Sequence, residues 1–330
     1  MSKDIEMNML RPRAKKLNEI TEEMWSKVLD DHKSLVKEFI QVNTQLSPQS
    51  RKQYKSGLYQ FFYWVHKELN DKHITKLSKR DFIKYMSFLD IFGMSSKGKG
   101  FKKSCVSSLC NYIENVIADD DDNYKNFRNF TNNLPAIAKN QVYDKIPISK
   151  EEYDLLISTL LEQKNYIGLA WVSLAFNAGP RRSEILQFKT EILNYPILEG
   201  QNYILSHLIR LKGSGEDGKI ERYMINLEAL KYIKLWIDNR GYEHEYIFTT
   251  RNKTQISESW GDEFCTNVLS PILNRRINPH IFKASCVTFL LKCGVDIKLV
   301  SKYVAHHEDV STTSSFYDLR DFEEEKNTIF

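Results

Sequence analysis

The thirty residues FLLKCGVDIKLVSKYVAHHEDVSTTSSFYD, numbers 289–318, carry the pattern from which the fold of this chain is predicted. The stretch begins inside an apolar helical segment that we place at 284–293. A second apolar run leads to two adjacent histidines, His306 and His307, and then to Tyr317. These side chains are candidates for acid–base or nucleophilic chemistry if other segments supply partners for them.

Three earlier segments supply candidate partners. The first, NAGPRRSEI at 177–185, is predicted to end one helix at a glycine turn and to begin the next near Arg181. The second is Lys212, which lies in a glycine-rich turn between two β-forming stretches. The third, PHIFK at 279–283, leads into the helix at 284–293. The order and spacing of the four segments are a stronger signal than any one of them.

This ordered set resembles the catalytic domain of the tyrosine recombinases, the phage integrase family, over residues 150–318. The N-terminal half is similar to the core-binding domain of that family, in particular SPQSRKQYKSGLYQFFYWV at 47–65 and ITKLSKRDFIKYMSFL at 74–89. The chain also resembles the recombinase-derived lysogeny repressors of SPβ-type Bacillus phages. The resemblance implies a mainly α fold with a small β-hairpin or sheet, arranged as a two-domain clamp, with double-stranded DNA as the partner.

The reaction of the family explains which side chains such a site needs. A tyrosine hydroxyl attacks a DNA phosphate, and arginine and histidine side chains stabilise the charge that builds on the phosphoryl oxygens. The resemblance implies no metal and no small-molecule cofactor. Carried over position by position, Arg181 matches the first arginine, Glu184 its acidic neighbour, Lys212 the general acid, His280 the first histidine of the HxxR motif and Tyr317 the nucleophile.

The sequence departs from the family at the second arginine and near the nucleophile. Lys283 stands where the second arginine is expected. The usual glycine and histidine are replaced by Ala305 and His306, followed by His307. Tyr317 lies eleven positions after His306 and ten after His307, against about nine in the family. Lysine keeps a charge that neutralises phosphate but lacks the bidentate fork of arginine, so these departures weaken cleavage more than DNA binding.

Each of these residues also has an ordinary structural interpretation. Arg181 could be a helix-start arginine paired with Glu184, His280 and His306 could be half-buried histidines, Lys212 a solvated lysine and Tyr317 a packing residue. The functional interpretation is favoured by the ordered set and not by any of these residues alone.

Basic residues at helical spacing recur on consecutive predicted helices of the N-terminal half. They would form one side of a clamp around a duplex, although runs of charge are usually solvated helix faces. The candidate DNA-binding residues there are Arg51, Lys52, Lys55, Lys79, Arg80, Lys97, Lys99, Lys102 and Lys103. Arg181, Lys212 and Lys283 would contact the same duplex from the C-terminal half.

Turn signals and apolar periodicity divide the 330 residues into four segments. These are a flexible basic arm at 1–20, a helical core-binding domain at 21–131, a linker at 132–148 and a catalytic-like domain at 149–330. Ser47 and Pro48 are predicted to start one helix, and Ser149 with Glu152 forms a capping box. Further helices are predicted at 79–90, 101–118, 150–162 and 166–177, and strands at 203–210 and 220–227.

Composition limits the class of protein. Lys and Arg exceed Asp and Glu by only 47 to 43, so an argument for a polyanionic partner depends on clustering of the basic residues. Five cysteines without CxxC or zinc-like spacing indicate reduced thiols and no structural metal. The run Asp119–Asp122 is predicted to be a solvated loop. Without a signal-peptide pattern or a long apolar run, the protein is expected to be soluble, cytoplasmic and unattached to membrane.

Two function classes follow from these predictions. In the preferred one, the recombinase scaffold is a sequence-specific DNA binder that no longer cuts and acts as a transcriptional repressor. In the other, the protein is an active site-specific recombinase that uses Tyr317, with Arg181, Lys283, His280 and His306 as phosphate stabilisers and Lys212 as acid. A third hypothesis is an accessory protein that positions another recombinase. We expect a monomer that pairs on DNA.

Overall fold

The structure is a computed structural model that describes residues 14–138, 144–211 and 218–320. These residues are mainly helical, as the sequence predicted, and the predicted β-hairpin forms two small two-stranded antiparallel sheets. They form two compact units, one within 14–138 and one within 144–320, which we call the N-terminal and C-terminal units. Lys212, most of its glycine-rich turn, the first residues of the basic arm and the last ten residues lie outside the described ranges.

The helices of the N-terminal unit pack around an aromatic core in which Phe61, Phe82 and Tyr85 are almost fully buried. The start of its longest helix is confirmed, because the Ser47 side chain accepts the Ser50 amide and Pro48 is the first helical residue. The helices are α1 (Glu22–Ser26), α2 (Asp30–Val42), α3 (Pro48–Leu69), α4 (Lys79–Phe92), α5 (Ser96–Tyr112) and α6 (Ala118–Asp120), with a 3₁₀ turn at Ile74–Lys76 and a π-helical turn at Ile113–Ile117.

Helices α3 and α5 approach closely in this unit. A Cβ added at Gly57 would lie 2.6 Å from the Sγ of Cys105, so the contact depends on a residue without a side chain. Nearby, the rings of Tyr54 and Phe101 meet edge to face at 5.7 Å. The contact brings together the two helices that carry most of the predicted basic residues.

In the C-terminal unit, α8 is the central helix and contacts α7, α10 and α13. Its residues from Gly168 to Phe176 are all buried, which explains why its sequence is apolar on every face. The predicted capping box of Ser149 and Glu152 is confirmed at the start of α7. The helices are α7 (Lys150–Glu162), α8 (Tyr166–Ala178), α9 (Arg182–Ile185), α10 (Leu227–Arg240), α11 (Glu258–Phe264), α12 (Ser270–Ile272), α13 (Pro279–Lys292), α14 (Ile297–Leu299) and α15 (Val310–Phe316), with a 3₁₀ turn at Thr190–Asn194 and π-helical turns at Cys265–Leu269 and Val300–Ala305.

The two predicted strands are each interrupted. Strand β1 (Tyr203–Leu205) pairs with β4 (Met224–Asn226), and β2 (Ile209–Arg210) pairs with β3 (Ile220–Glu221). The interruption lies at Ser206, whose hydroxyl accepts the Tyr223 amide at 2.9 Å and donates to the His207 carbonyl at 2.7 Å. A serine side chain that bonds to the main chain in this way competes with the regular ladder.

Three smaller predictions can be compared with the structure. Four cysteines are buried and Cys293 is exposed, and all five are free thiols. Asp119 and Asp120 belong to α6, so only the second half of the predicted aspartate loop is a loop. No helix within the described ranges is long and apolar enough to cross a membrane.

Candidate functional site

Arg181 lies at the turn between α8 and α9 and is paired with Glu184. Gly179 ends α8 in the left-handed conformation, with φ of 64°, and Arg181 is the residue that precedes α9. The Glu184 carboxylate accepts the Arg181 amide at 2.6 Å and its Nη1 at 2.9 Å. The predicted pairing is therefore confirmed. The other guanidinium N–H groups have no hydrogen bond to the described residues, so they are available to an anion.

Glu184 also receives a hydrogen bond from Tyr223, a residue that the sequence analysis missed. The Tyr223 hydroxyl donates to Glu184 at 2.6 Å, and both side chains are almost fully buried. Burial acts to raise the pKa of Glu184, but the charges of Lys283 and Arg181 and the bond from Tyr223 together hold it below its ordinary value. Glu184 is thus a buried anion that fixes the orientation of Arg181.

Lys283, which replaces the family's second arginine, lies on the first turns of α13 and is 2% exposed. Its Nζ makes no hydrogen bond to the described residues. Burial, reinforced by the Arg181 charge and opposed by Glu184, lowers the pKa of Lys283 to about 7. The second cation of the candidate site is therefore present, but as a buried ammonium group that is only partly charged at neutral pH.

The two adjacent histidines occupy different environments. His306 ends the π-helical turn in the left-handed conformation, with φ of 53°, and its buried ring meets the Tyr223 ring edge to face at 4.5 Å. The Nδ1 of His307 lies 2.8 Å from the hydroxyl of Thr313. That hydroxyl donates to Ser301 at 2.9 Å, so it must accept from His307, and the lone pair of the neutral imidazole is on Nε2.

Both histidines are neutral at physiological pH. Burial, with the nearby Lys283 charge as the next cause, lowers the pKa of His306 and of His307 to about 4. The Nε2 of each ring is buried and has no partner among the described residues. The proton on Nδ1 of His307 is already used by Thr313. A neutral His307 can therefore accept a hydrogen bond at Nε2 but cannot donate one there.

Tyr317 follows the last residue of α15 and is held by its main chain. Its amide donates to the Thr313 carbonyl and its carbonyl accepts the Thr288 hydroxyl, each at 3.0 Å. Its half-buried ring is tilted by 43° against His307, with ring centroids 4.7 Å apart. Phe316 is 59% exposed and lies nine positions after His307, whereas Tyr317 lies ten positions after it.

The structure therefore brings six residues that were named from the sequence into one cluster and adds Tyr223. We call this cluster the Arg181 site; its members are Arg181, Glu184, Lys283, His306, His307 and Tyr317, together with Tyr223. Arg181 lies within electrostatic range of Tyr317, and Lys283 within that of both histidines. His280 is exposed on the first turn of α13, three residues before Lys283. Lys212 lies outside the described residues.

The basic residues of the N-terminal unit fall on three helices. Lys79 and Arg80 are exposed at the start of α4, after the capping box of Ser78 and Asp81. The basic residues of α3 and α5 lie on neighbouring helices. The Lys102 Nζ of α5 would be 3.7 Å from a Cβ atom built on Gly57 of α3. Lys52, Lys55 and Lys97 are exposed, and Arg51, Lys102 and Lys103 are partly buried.

Lys99 departs from the prediction of a solvated basic group. It is 8% exposed, and its ammonium group pairs with Asp90 of α4. The packing of α5 against α4 turns this lysine inward, which the spacing of basic residues along one helix does not reveal. Lys99 is thus a structural residue, and the other members remain candidates for an anion-binding surface.

The sequence and the fold correspond to a known class. The sequence profile of the phage integrase family matches residues 147–323, and the chain belongs to this family. The SPbeta prophage-derived recombinase-like protein YomM of Bacillus subtilis (strain 168) is 58% identical to it over the full length of both chains. A tyrosine recombinase of Thermosipho africanus (strain TCF52B) is 25% identical over 84% of this chain and 91% of its own.

Two solved structures share the fold. The XerH site-specific recombinase bound to palindromic difH substrate, in a post-cleavage complex, superposes with a TM-score of 0.68 at 14% identity over 96% of this chain and 97% of its own. The Tn1549 transposon integrase in complex with transposon right end DNA superposes with a TM-score of 0.67 at 16% identity. The match covers 90% of this chain and 98% of the integrase chain. At such identities the likeness establishes the fold of this chain.

Proposed function

We propose that this protein binds double-stranded DNA sequence-specifically through a tyrosine recombinase scaffold, does not cleave it, and acts as a phage or prophage transcriptional repressor. The observation that carries the proposal is the state of Lys283. A buried ammonium group without a hydrogen-bond partner stands where the family has an arginine fork. Such a group contributes charge for binding without the fixed geometry that cleavage requires.

Phosphate binding is supported by the positive groups of both units. In the Arg181 site, Glu184 orients Arg181 and leaves part of its guanidinium available for a charge-assisted hydrogen bond. In the N-terminal unit, the exposed lysines of α3, α4 and α5 supply charge that would neutralise backbone phosphates. The two solved structures described above hold transposon right end DNA and difH substrate, and the proposal extends a DNA partner to this chain.

Loss of cleavage is supported by three features of the Arg181 site. Replacing an arginine fork by a lysine removes a preorganised pair of donors, and losing one such donor lowers rates by about 10²–10³. Neither His306 nor His307 is charged at neutral pH, and the free ring nitrogen of His307 is an acceptor rather than a donor. Along the sequence, Tyr317 lies ten positions after His307, one more than the spacing of about nine that the family has.

The second candidate function is an active site-specific tyrosine recombinase. It is favoured by the position of Tyr317, whose ring packs on His307 and which lies within electrostatic range of Arg181. In that case Tyr317 would form a 3′-phosphotyrosine, and Lys212 would protonate the leaving oxygen. The two functions share a DNA partner and differ in whether a covalent bond to DNA ever forms.

Assembly and location follow from the same proposal. A repressor of phage or prophage genes works in the bacterial cytoplasm, where its DNA is. We propose that the protein is a monomer in solution and associates with a second copy only on DNA that offers two half-sites.

The test is a genome-wide map of bound DNA in a bacterial host, together with transcript levels, for the wild type and Tyr317→Phe. A repressor gives dispersed sites that the substitution leaves unchanged, and neighbouring genes rise in expression when the protein is deleted. One or two sites at the ends of a mobile element, with products that disappear in Tyr317→Phe, would instead establish the recombinase. Binding only beside the attachment sites of another recombinase would identify an accessory protein.

A further inference from the structure

A second cleft lies in the C-terminal unit, at the start of α8, whereas Arg181 follows the end of that helix. It has a volume of about 670 Å³ and lies between the start of α8, the end of α10 and the start of α11. This volume is in the range of small-molecule sites. Because α8 has 13 residues, it separates the cleft from Arg181 by about 20 Å along the helix. The cleft and the Arg181 site are thus different places.

The wall of this cleft is positively charged. None of the described residues that line it is a carboxylate, and three are cations. Lys164 and Arg251 are exposed at the rim and make no ion pair with a carboxylate that the structure describes. Arg240 is 9% exposed and donates only to main-chain carbonyls, including those of Tyr242 and His244 at 2.9 Å. Its guanidinium has no carboxylate partner among the described residues, so it adds positive charge to the wall of the cleft.

The same cleft presents aromatic rings with fixed orientations. The ring of Trp260 stacks on Phe264 at 4.8 Å with an interplanar angle of 18°. The Nε1 of Trp236 donates to the Ile247 carbonyl at 2.7 Å. Tyr166 completes the lining from the first residue of α8. Rings that are already ordered can take up a planar group without further loss of side-chain entropy.

We propose that this cleft binds a nucleotide, with the base against the tryptophan and tyrosine rings and the phosphate beside Lys164 and Arg251. The shared chemistry is a planar base that carries a phosphate, and it has two sources, a free mononucleotide or a nucleotide of a DNA strand. Base–aromatic stacking together with a cationic rim is how proteins hold single nucleotides of a strand. The inference uses none of the residues of the Arg181 site, so it does not depend on the proposed function.

Quenching of tryptophan fluorescence tests this proposal in the full-length protein, since two of its five tryptophans line the cleft. The probes are adenosine 5′-monophosphate, cytidine 5′-monophosphate, adenosine, inorganic phosphate, a short single-stranded oligodeoxynucleotide and the matching duplex. The variant is Lys164→Gln with Arg251→Gln, two exposed positions at which the fold is not at risk. Lys231→Gln is the matched control, an exposed lysine of α10 outside the cleft.

Saturable quenching by the mononucleotides is expected, about tenfold weaker in the double variant because two charge-assisted contacts are lost, and unchanged in Lys231→Gln. Adenosine and phosphate alone bind much more weakly. Quenching by the oligodeoxynucleotide alone, with the same dependence on Lys164 and Arg251, assigns the cleft to a DNA strand. The proposal is overturned if no probe gives saturable quenching, or if the double variant binds as the wild type does. Arg181→Ala separates the two proposals, because it weakens duplex binding at the Arg181 site and leaves mononucleotide quenching intact.

Discussion

Glu184 holds Arg181 by two hydrogen bonds, one from the main-chain amide at 2.6 Å and one from Nη1 at 2.9 Å. This arginine is therefore oriented before any DNA arrives. Lys283 shares the electrostatic environment of Glu184 but has no hydrogen bond to it. The Arg181 site thus combines one preorganised cation with one buried ammonium group that lacks a fixed direction, which suits phosphate binding better than phosphoryl transfer.

Lys283→Met should stabilise the fold and weaken DNA binding. The lowered pKa of Lys283 means that its charge is disfavoured in the folded state. Methionine is apolar and of similar volume, so it removes the free-energy cost of a buried polar group without a hydrogen bond, which is about 1–3 kcal/mol. The folded pKa of about 7 lies below the unfolded value, so the penalty is complete below pH 7 and fades as pH rises toward 10.5.

Urea denaturation at several pH values measures this difference in the free energy of unfolding, and Lys292→Met, on the last turn of the same helix, is the control. A variant that is less stable than the wild type below pH 7 would show that Lys283 is held by a favourable interaction instead. Unchanged DNA affinity would remove Lys283 from the proposed phosphate contacts.

His32→Phe should make the N-terminal unit less sensitive to acid. His32 is fully buried, both ring nitrogens lack partners, and burial followed by the nearby His73 lowers its pKa to about 4. The His32 ring is neutral in the folded state and becomes protonated in the unfolded state below its ordinary pKa. The free energy of unfolding therefore falls by about 2–3 kcal/mol as the pH falls from about 6.5 to 4. Phenylalanine keeps the stacking against Phe62.

Hydrogen exchange of the α2 and α3 amides at pH 7 and pH 5 reports this local stability in the intact chain. We expect the wild type to lose protection at the lower pH and the variant to lose less. Equal losses in both proteins would mean that His32 does not carry the acid sensitivity.

Lys52→Gln with Lys55→Gln should weaken DNA binding and flatten its dependence on salt. Each lost phosphate contact lowers the slope of log K against log salt by about 0.9. Lys99→Gln is the matched control on α5, since Lys99 is buried and paired with Asp90, and it should lower the melting temperature while leaving the slope unchanged. Binding isotherms at several salt concentrations decide the question. If the slope of log K against log salt falls in Lys99→Gln and is unchanged in the double variant, Lys99 contacts phosphate and Lys52 and Lys55 do not.

Lys283→Arg combined with Phe316→Tyr should create cleavage activity that the wild type lacks. The first change restores an arginine fork, and the second puts a hydroxyl nine positions after His307. Incubation with a bound DNA fragment, followed by denaturing electrophoresis, should reveal a covalent adduct in the double variant and none in Lys283→Arg alone. If the double variant forms no adduct while remaining folded and bound to DNA, the register of the nucleophile is not what prevents cleavage.

The sequence allowed most helix starts to be predicted because their signals are local. Ser47, Pro48 and the pair Ser149 and Glu152 act within one helical turn, and the structure confirms them. The interruption of the strands was not predictable in the same way. It depends on a hydrogen bond from the Tyr223 amide to the Ser206 hydroxyl, 17 residues away in the sequence. The alternation of apolar residues, from which the strands were predicted, does not indicate such a contact.

The same distinction applies to the Arg181 site. The pairing of Arg181 and Glu184 lies within four residues and could be predicted from their spacing. Tyr223 reaches Glu184 across 39 positions, and the burial of Lys99 depends on α4, so both required the packing of separate elements. The left-handed conformation of His306 was also missed, because a glycine usually occupies such a position and the sequence has none there.

The most direct test of the account is recovery of DNA from cells under denaturing conditions without crosslinker, for the wild type and Tyr317→Phe. Both proteins should occupy the same sites with the same affinity in a parallel crosslinked sample, and neither should retain DNA once denatured. DNA that stays attached to the wild type through denaturation and is absent from Tyr317→Phe would show that Tyr317 still forms a phosphotyrosine, and it would contradict the proposal of a repressor that has lost cleavage.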